Sequence, residues 1–169
     1  MNFNIYTDGA ATMKKVNGEY VRVAGGWATI VYDDCGCRIG GFYGGNPETS
    51  NNAMELYGIY QALLWLKGRE DFTSFSNATI FSDSAYCVNI FNDWIKKWEA
   101  NGWTRGRKHE PIENLTAIRA IYALLKEMPM VKIQKVKGHA TTVGNNLADK
   151  YAVQGKQEVS TRDSFTDTI

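Results

Sequence analysis

The chain has 169 residues, 44% of them apolar, with 19 Lys and Arg against 18 Asp and Glu for a net charge of +1. That length suits one domain with a real core, and Gly and Pro are not in excess, so the chain reads as soluble and globular. No apolar run is long enough to span a membrane, and the start, MNFNIYTDG, is not a signal peptide; both point to the cytoplasm. Three Cys, an odd number, agree with a reducing compartment. Cys35 and Cys37 form a C-x-C pair without the further Cys or His that zinc needs, and read as strand-end residues.

Residues 2–11 read as a first strand, in which the β-formers Ile5, Tyr6 and Thr7 lead up to Asp8, a residue strand interiors exclude. KKVNGEYVRV carries Asn17-Gly18, the strongest short hairpin signal, so the chain turns back there. VAGGWATIVYDD continues as a second strand and CRIGGFYGG as a third, all antiparallel neighbours. NPETSNN is a loop with helix-start residues. The helix that follows places Leu56, Ile59, Tyr60 and Leu63 on one face and ends near Gly68. NATIFSDS is a fourth strand, again closing in a carboxylate, Asp83. Helical pieces run through AYCVNIFNDWIKKWEANG. Pro111 then opens a helix with Leu115, Ile118, Tyr122 and Leu125 on one side. MVKIQKV is a fifth strand, KGHATTVG a Gly-bounded loop and NNLADKYAVQ a last helix. From Lys156 the chain is polar and reads as a partly disordered tail. The initial Met and this tail read as the ends of a complete protein. The order β-β-β-α-β-α-α-β-α describes a mixed α/β sheet with helices on its faces.

Two strands thus end in Asp8 and Asp83, and sites in α/β sheets gather at strand ends. Glu55 lies one turn into its helix at the edge of the apolar face. Asp149 lies on the last helix between Ala148 and Lys150, two residues before Tyr151. Acids beside core positions are costly unless paired. Divalent cations remove that cost, and acids with no Cys and little His favour Mg²⁺ or Mn²⁺ over zinc. Taken singly, each has a plainer reading. Asp8 before Gly9 reads as a turn residue, Asp83 as a helix N-cap, Glu55 as a helix-start acid and Asp149 as a surface acid.

Four segments, YTDGA, NNAMEL, FSDSAY and VKGHATTVGNNLADKYA, resemble the signature segments of type 1 ribonuclease H, in the family's order, from about residue 2 to residue 155. The resemblance implies a ribonuclease H-like fold with a mixed five-stranded sheet, its first three strands antiparallel, flanked by helices. Residues 1–155 would be the catalytic domain and 156–169 the tail. It also implies an endoribonuclease that cuts the RNA strand of RNA–DNA hybrids, leaving 5′-phosphate and 3′-hydroxyl ends. Asp8, Glu55, Asp83 and Asp149 match the family's acidic ligands for two Mg²⁺ ions, with Mn²⁺ a possible substitute. His139 matches a mobile histidine that accepts a proton or helps product leave. The expected partner is the hybrid duplex, with no membrane, no small-molecule cofactor and a monomeric protein.

DWIKKWEANGWTRGRKHE resembles the family's basic protrusion. From Trp94 to His109 it carries Lys96, Lys97, Arg105, Arg107 and Lys108 against one acid, Glu99. Lys96, Lys97, Arg105, Arg107 and Lys108 are expected at phosphates, or alternatively each on a solvated charged face. Trp98 and Tyr86 match positions lining the channel for the DNA strand, whereas Trp94 and Trp103 read as packing within the protrusion. Ser50, Asn51 and Asn52 match polar residues that contact the hybrid, and Ser50 and Asn114 match two side chains of a phosphate pocket; helix capping is the alternative role for them. The chain departs from common family patterns at Glu48, where an Arg often stands, at Ala85 in place of an amide, at Asn146 in place of a Glu, and in a long first hairpin around Met13 to Val23. Two other readings keep the fold: a resolvase-, integrase- or transposase-like nuclease, and a catalytically silent nucleic-acid-binding domain.

Overall fold

The computed structural model describes residues 1–12, 14–136 and 142–169. Its main sheet has six strands: β1 (Asn2–Ala11), β4 (Val23–Tyr32), β5 (Arg38–Thr49), β6 (Asn77–Ser82), β7 (Val131–Lys135) and β8 (Phe165–Thr168), in the order β7-β6-β1-β4-β5-β8. A separate two-stranded ribbon, β2 (Lys14–Val16) with β3 (Glu19–Val21), interrupts the link from β1 to β4. It turns at Asn17-Gly18, both at positive φ (53° and 83°), as the hairpin signal requires. β1 pairs antiparallel with β4 and parallel with β6, and β6 parallel with β7. The mixed α/β architecture is therefore the expected one, with the first hairpin elaborated and one strand added at the far edge.

Two expectations are corrected at the ends of elements. The tail from Lys156 is not a frayed coil: α5 (Val143–Glu158) continues past it, and Phe165–Thr168 pairs antiparallel with β5. Polar composition concealed this because the strand is anchored by few residues. Phe165 packs edge-on against Tyr43, and the Arg162 guanidinium lies 3.8 Å over the Phe165 ring while pairing with Asp167. Likewise, Pro111 does not open a helix. α4 (Leu115–Glu127) begins four residues later, after Asn114 at φ 58°.

α1 (Asn51–Lys67) and α5 lie on opposite faces of β1. Gly9 and Thr7 face α1, whereas Tyr6 lies against Gly144 of α5, so strand alternation sends Asp8 toward the α5 side. α1 is capped by Ser50, whose Oγ accepts from the Ala53 N–H, and it stops at Gly68 as expected. Its buried face includes the expected Leu56, Ile59 and Leu63, joined by Met54, Ala62 and Leu66. This face meets Phe3, Ile5 and Ile80 of the sheet and Ile118 and Ile121 of α4 in the larger core. On the other face α5 lies almost on the backbone of β4 and β5. A Cβ at Gly26 would sit 2.0 Å from the Ala152 carbonyl, and one at Gly155 2.0 Å from the Gly44 carbonyl. After β6, α2 (Ala85–Asn89) runs through a π-helical stretch, Ile90–Trp94, into α3 (Ile95–Ala100). The extra residue per turn shifts the helical face carried forward.

Candidate active site and nucleic-acid interface

Asp8 is an interior strand residue, three positions before the end of β1, and not the strand's last residue. The Asp8-Gly9 pair makes no turn. Gly9 is there because α1 starts directly over it: a Cβ would lie 2.3 Å from the Glu55 nitrogen. That approach presses the first turn of α1 onto β1. β6 stops pairing with β1 at Thr7↔Ser82, so among the described residues the edge of β1 beyond Thr7 has no strand partner on that side. Asp83 follows directly, and Asp8, Glu55 and Asp83 meet in this notch, each offering an oxygen within 4.8 Å of the others. Asp83 is not the N-cap of α2; Ser84 is, accepting from the Cys87 N–H, while Ser82 Oγ accepts from the Ser84 N–H. The Asp83 carboxylate is thereby left exposed at the notch.

Asp8 and Glu55 are each only 4% exposed. Burial, then the neighbouring Asp83 charge, pushes Asp8 up to about 8, and Asp149 across from α5 adds to the shift. Burial, then Asp8 and Asp83, pushes Glu55 up to about 10. Glu55 Oε2 is buried and, among the described residues, has no hydrogen-bond partner. Buried, mutually repelling carboxylates with an orphan oxygen are what a hard divalent cation satisfies, and the donor set is all oxygen. Asp149 is exposed and lies outside the trio, near enough for its charge to act on Asp8. His139 lies outside the described residues.

Tyr86, Trp94 and Trp98 share one groove of about 480 Å³, lined also by Arg105, Ile112 and Glu113. The ring centroids of Trp94 and Trp98 are 5.8 Å apart, and those of Tyr86 and Trp94 6.2 Å. Burial raises the Tyr86 hydroxyl, and the Asn114 side chain acts against that shift, which puts Asn114 beside this groove. Trp103 packs elsewhere, against Tyr122 and under Arg119. The basic patch is less bare than its sequence window suggested. Lys97 pairs with Asp93 and Arg105 with Glu110, acids just outside the window. Lys96 lines a different groove, with Tyr122 and Lys126. Arg107 and Lys108 are exposed.

Ser50 caps α1, and Asn51 Oδ1 accepts from the Ala11 N–H, tying the end of β1 to the helix start; Asn52 sits half-buried beside it. Glu48 is exposed, its N–H donating to Asn46 Oδ1. Sequence reasoning overlooked Gly9 as a site-forming residue because Asp-Gly is also a turn signal. It also passed over Ile112 and Glu113, which carry no motif. Cys35 and Cys37 lie in the turn between β4 and β5, where Asp33 Oδ1 accepts from both their N–H groups.

Solved structures share this fold. LC9-RNase H1, a type 1 RNase H with the type 2 active-site motif, superposes with a TM-score of 0.76 at 21% identity, covering 99% of this chain and 76% of that one. LC11-RNase H1, solved in complex with an RNA/DNA hybrid, gives 0.69 at 17% identity over 94% and 99% of the two chains. The ribonuclease H of Caldicellulosiruptor saccharolyticus is 37% identical over 150 residues, 88% of this chain and 91% of its own length. That of Rickettsia akari is 33% identical over 154 residues, 90% of each. The RNase H family model matches residues 1–157, and the chain belongs to the ribonuclease H family. No helix among the described residues is long and apolar enough to cross a membrane.

Proposed function

We propose that the chain is an endonuclease that hydrolyses the RNA strand of RNA–DNA hybrids, with Asp8, Glu55, Asp83 and Asp149 holding two Mg²⁺ ions. The observation that carries this reading is the carboxylate trio in the β1–β6 notch of a ribonuclease H chain, with Asp149 facing it from α5. Bound Mg²⁺ supplies a nucleophilic water at neutral pH and charge stabilisation at the departing 3′ oxygen, so the products carry 5′-phosphate and 3′-hydroxyl ends. The chain's own part is to hold four carboxylates where they cannot escape one another. Asp8 and Glu55 are fixed by a strand and a helix start locked together at Gly9, which keeps their geometry rigid. In this reading His139 serves as a proton acceptor or product-release group.

The aromatic groove of Tyr86 and Trp98 is suited to sugar and base faces of the DNA strand, where a 2′-hydroxyl would be disfavoured. Ser50, Asn51, Asn52 and Asn114 flank the notch and the groove, and Lys96, Lys97 and Arg105 supply positive charge for phosphates. A cytoplasmic monomer with Mg²⁺ as its physiological ion, and Mn²⁺ able to replace it, completes the proposal. The test is incubation with labelled RNA–DNA hybrid, duplex DNA and duplex RNA, with and without Mg²⁺. RNA-strand cleavage of the hybrid alone, dependent on the ion, is expected. Cleavage of duplex DNA would point to a resolvase-like enzyme, and binding without cleavage to a silent domain.

A further inference from the structure

The β2–β3 ribbon has no role in the core: Lys14, Lys15, Val16, Glu19, Tyr20 and Val21 are all exposed, Tyr20 at 64%. An isolated two-stranded hairpin is at best marginally stable, so a fully solvated one contributes little to the fold. Its position is informative. It grows directly from the end of β1 that carries Asp8, and its base is pinned from both faces of the sheet. The Ala11 N–H donates to Asn51 Oδ1 at the start of α1, and Lys156 Nζ of α5 donates to Thr12 Oγ1. The same two helices carry Glu55 and Asp149. The register pairs Lys15 directly with Tyr20, so the two share a face, with Lys15 Nζ 4.7 Å from the Tyr20 ring centroid. Arg22 follows two residues after Tyr20. Glu19, the ribbon's one acid, pairs with Val16 on the other face.

We propose that the Lys15–Tyr20 face of this ribbon, with Arg22 at its base, is a second nucleic-acid contact, gripping the phosphate backbone of the hybrid beyond the active-site notch. The proposal rests on the hybrid-cleaving reading above. Charge complementarity selects the partner: a cation and an aromatic ring share one face with no acid, and the exposed Arg22 stands at the ribbon's base, a set that suits a polyanion with sugar and base faces. Asn17 at the tip lies nine positions after Asp8. At about 3.3 Å per residue the ribbon reaches at most roughly 30 Å from the carboxylates, enough to follow a duplex seated there.

The test is a Lys15→Ala/Arg22→Ala double variant, with Tyr20→Ala separately, compared with the unaltered protein for binding to a 30-base-pair hybrid in Ca²⁺ over a salt series. Far-UV circular dichroism and a melting curve check the fold, which substitutions at exposed ribbon positions should leave intact. The double variant is expected to raise Kd by about tenfold or more near 0.1 M salt. It should also flatten the slope of log K against log salt by between about 1 and 2, as loss of one or two phosphate contacts requires. Tyr20→Ala should weaken binding with little change in slope. A Kd within twofold of the unaltered protein and an unchanged slope would overturn the ribbon's role while leaving hybrid cleavage standing. Failure of the unaltered protein to bind or cleave hybrid would overturn both.

Discussion

Replacing Asp8 by Asn should make the metal-free protein more stable while abolishing its cleavage of hybrid. The side chain is 4% exposed and its carboxyl is pushed up to about 8 by burial and by Asp83. An acid whose folded pKa is raised binds more protons folded than unfolded over the interval between the two values. The stability it carries is therefore complete below about 4 and is lost as pH rises toward about 8. For one isolated group the loss is about 1.4 kcal/mol per pH unit, or about 4 kcal/mol by pH 7. Asp8 and Glu55 titrate as a linked pair, and Asn forfeits some hydrogen bonding, so a net gain of about 2 kcal/mol at pH 7 is the reasonable figure. At this chain length that is a rise in Tm of about 4–8 °C. Melting in EDTA at pH 5, 6 and 7 should show the advantage growing with pH. Saturating Mg²⁺ should raise the Tm of the unaltered protein, by the equivalent of about 2.7 kcal/mol at a hundredfold excess over Kd, and leave the variant nearly unmoved. An Asp8→Asn protein less stable in EDTA at pH 7, or an advantage independent of pH, would refute the account of the notch as a repulsive carboxylate cluster. Near-normal cleavage in Mg²⁺ would refute the assignment of Asp8 as a ligand.

Three further outcomes are expected. Gly9→Ala places a Cβ against the backbone of Met54 and Glu55, which cannot yield as a flexible side chain can; it should cost about 2–3 kcal/mol in a urea titration and, by displacing Glu55, most of the cleavage activity. Phe165→Ala removes the ring that seats β8 on Tyr43 and should lower stability by about 1–2 kcal/mol, with light scattering on heating reporting the uncovered edge of β5. Glu48→Arg, at the exposed approach to Ser50, should tighten hybrid binding in Ca²⁺ and steepen its salt dependence by roughly one phosphate contact; unchanged affinity and slope would place Glu48 outside any phosphate pocket.

What the sequence made legible was set by how local the physics is. Asn17-Gly18 specified its own turn, because both residues must adopt positive φ and these two do so at little cost. Gly68 and Ser50 marked the ends of α1, and the apolar positions of α1 marked its buried face. The ends of other elements depended on partners distant in the chain. β8 exists because β5 offers an open edge and Arg162 folds over Phe165, neither of which a polar composition discloses. The charge of the basic window was overstated because Asp93 and Glu110, which pair with Lys97 and Arg105, stand just outside it.

The candidate site was legible as a set of residues but not as a construction, and Asp8-Gly9 shows why. In sequence the pair is a turn signal, and in the structure it lies inside a ten-residue strand. Glycine is demanded there by the Glu55 backbone above it, 2.3 Å from where a Cβ would be. Alternation along β1 sends Asp8 to one face of the sheet and opens Gly9 to the other. The carboxylates from α1 and β1 could not meet through a continuous sheet. They meet because β6 ends its pairing at Ser82 and leaves β1 one neighbour short at that point. The early end of β6 therefore does more than fix topology: it makes the gap through which Glu55 reaches Asp8 and Asp83. A substitution that extended β6 pairing past Ser82 would close that gap without touching an acidic residue.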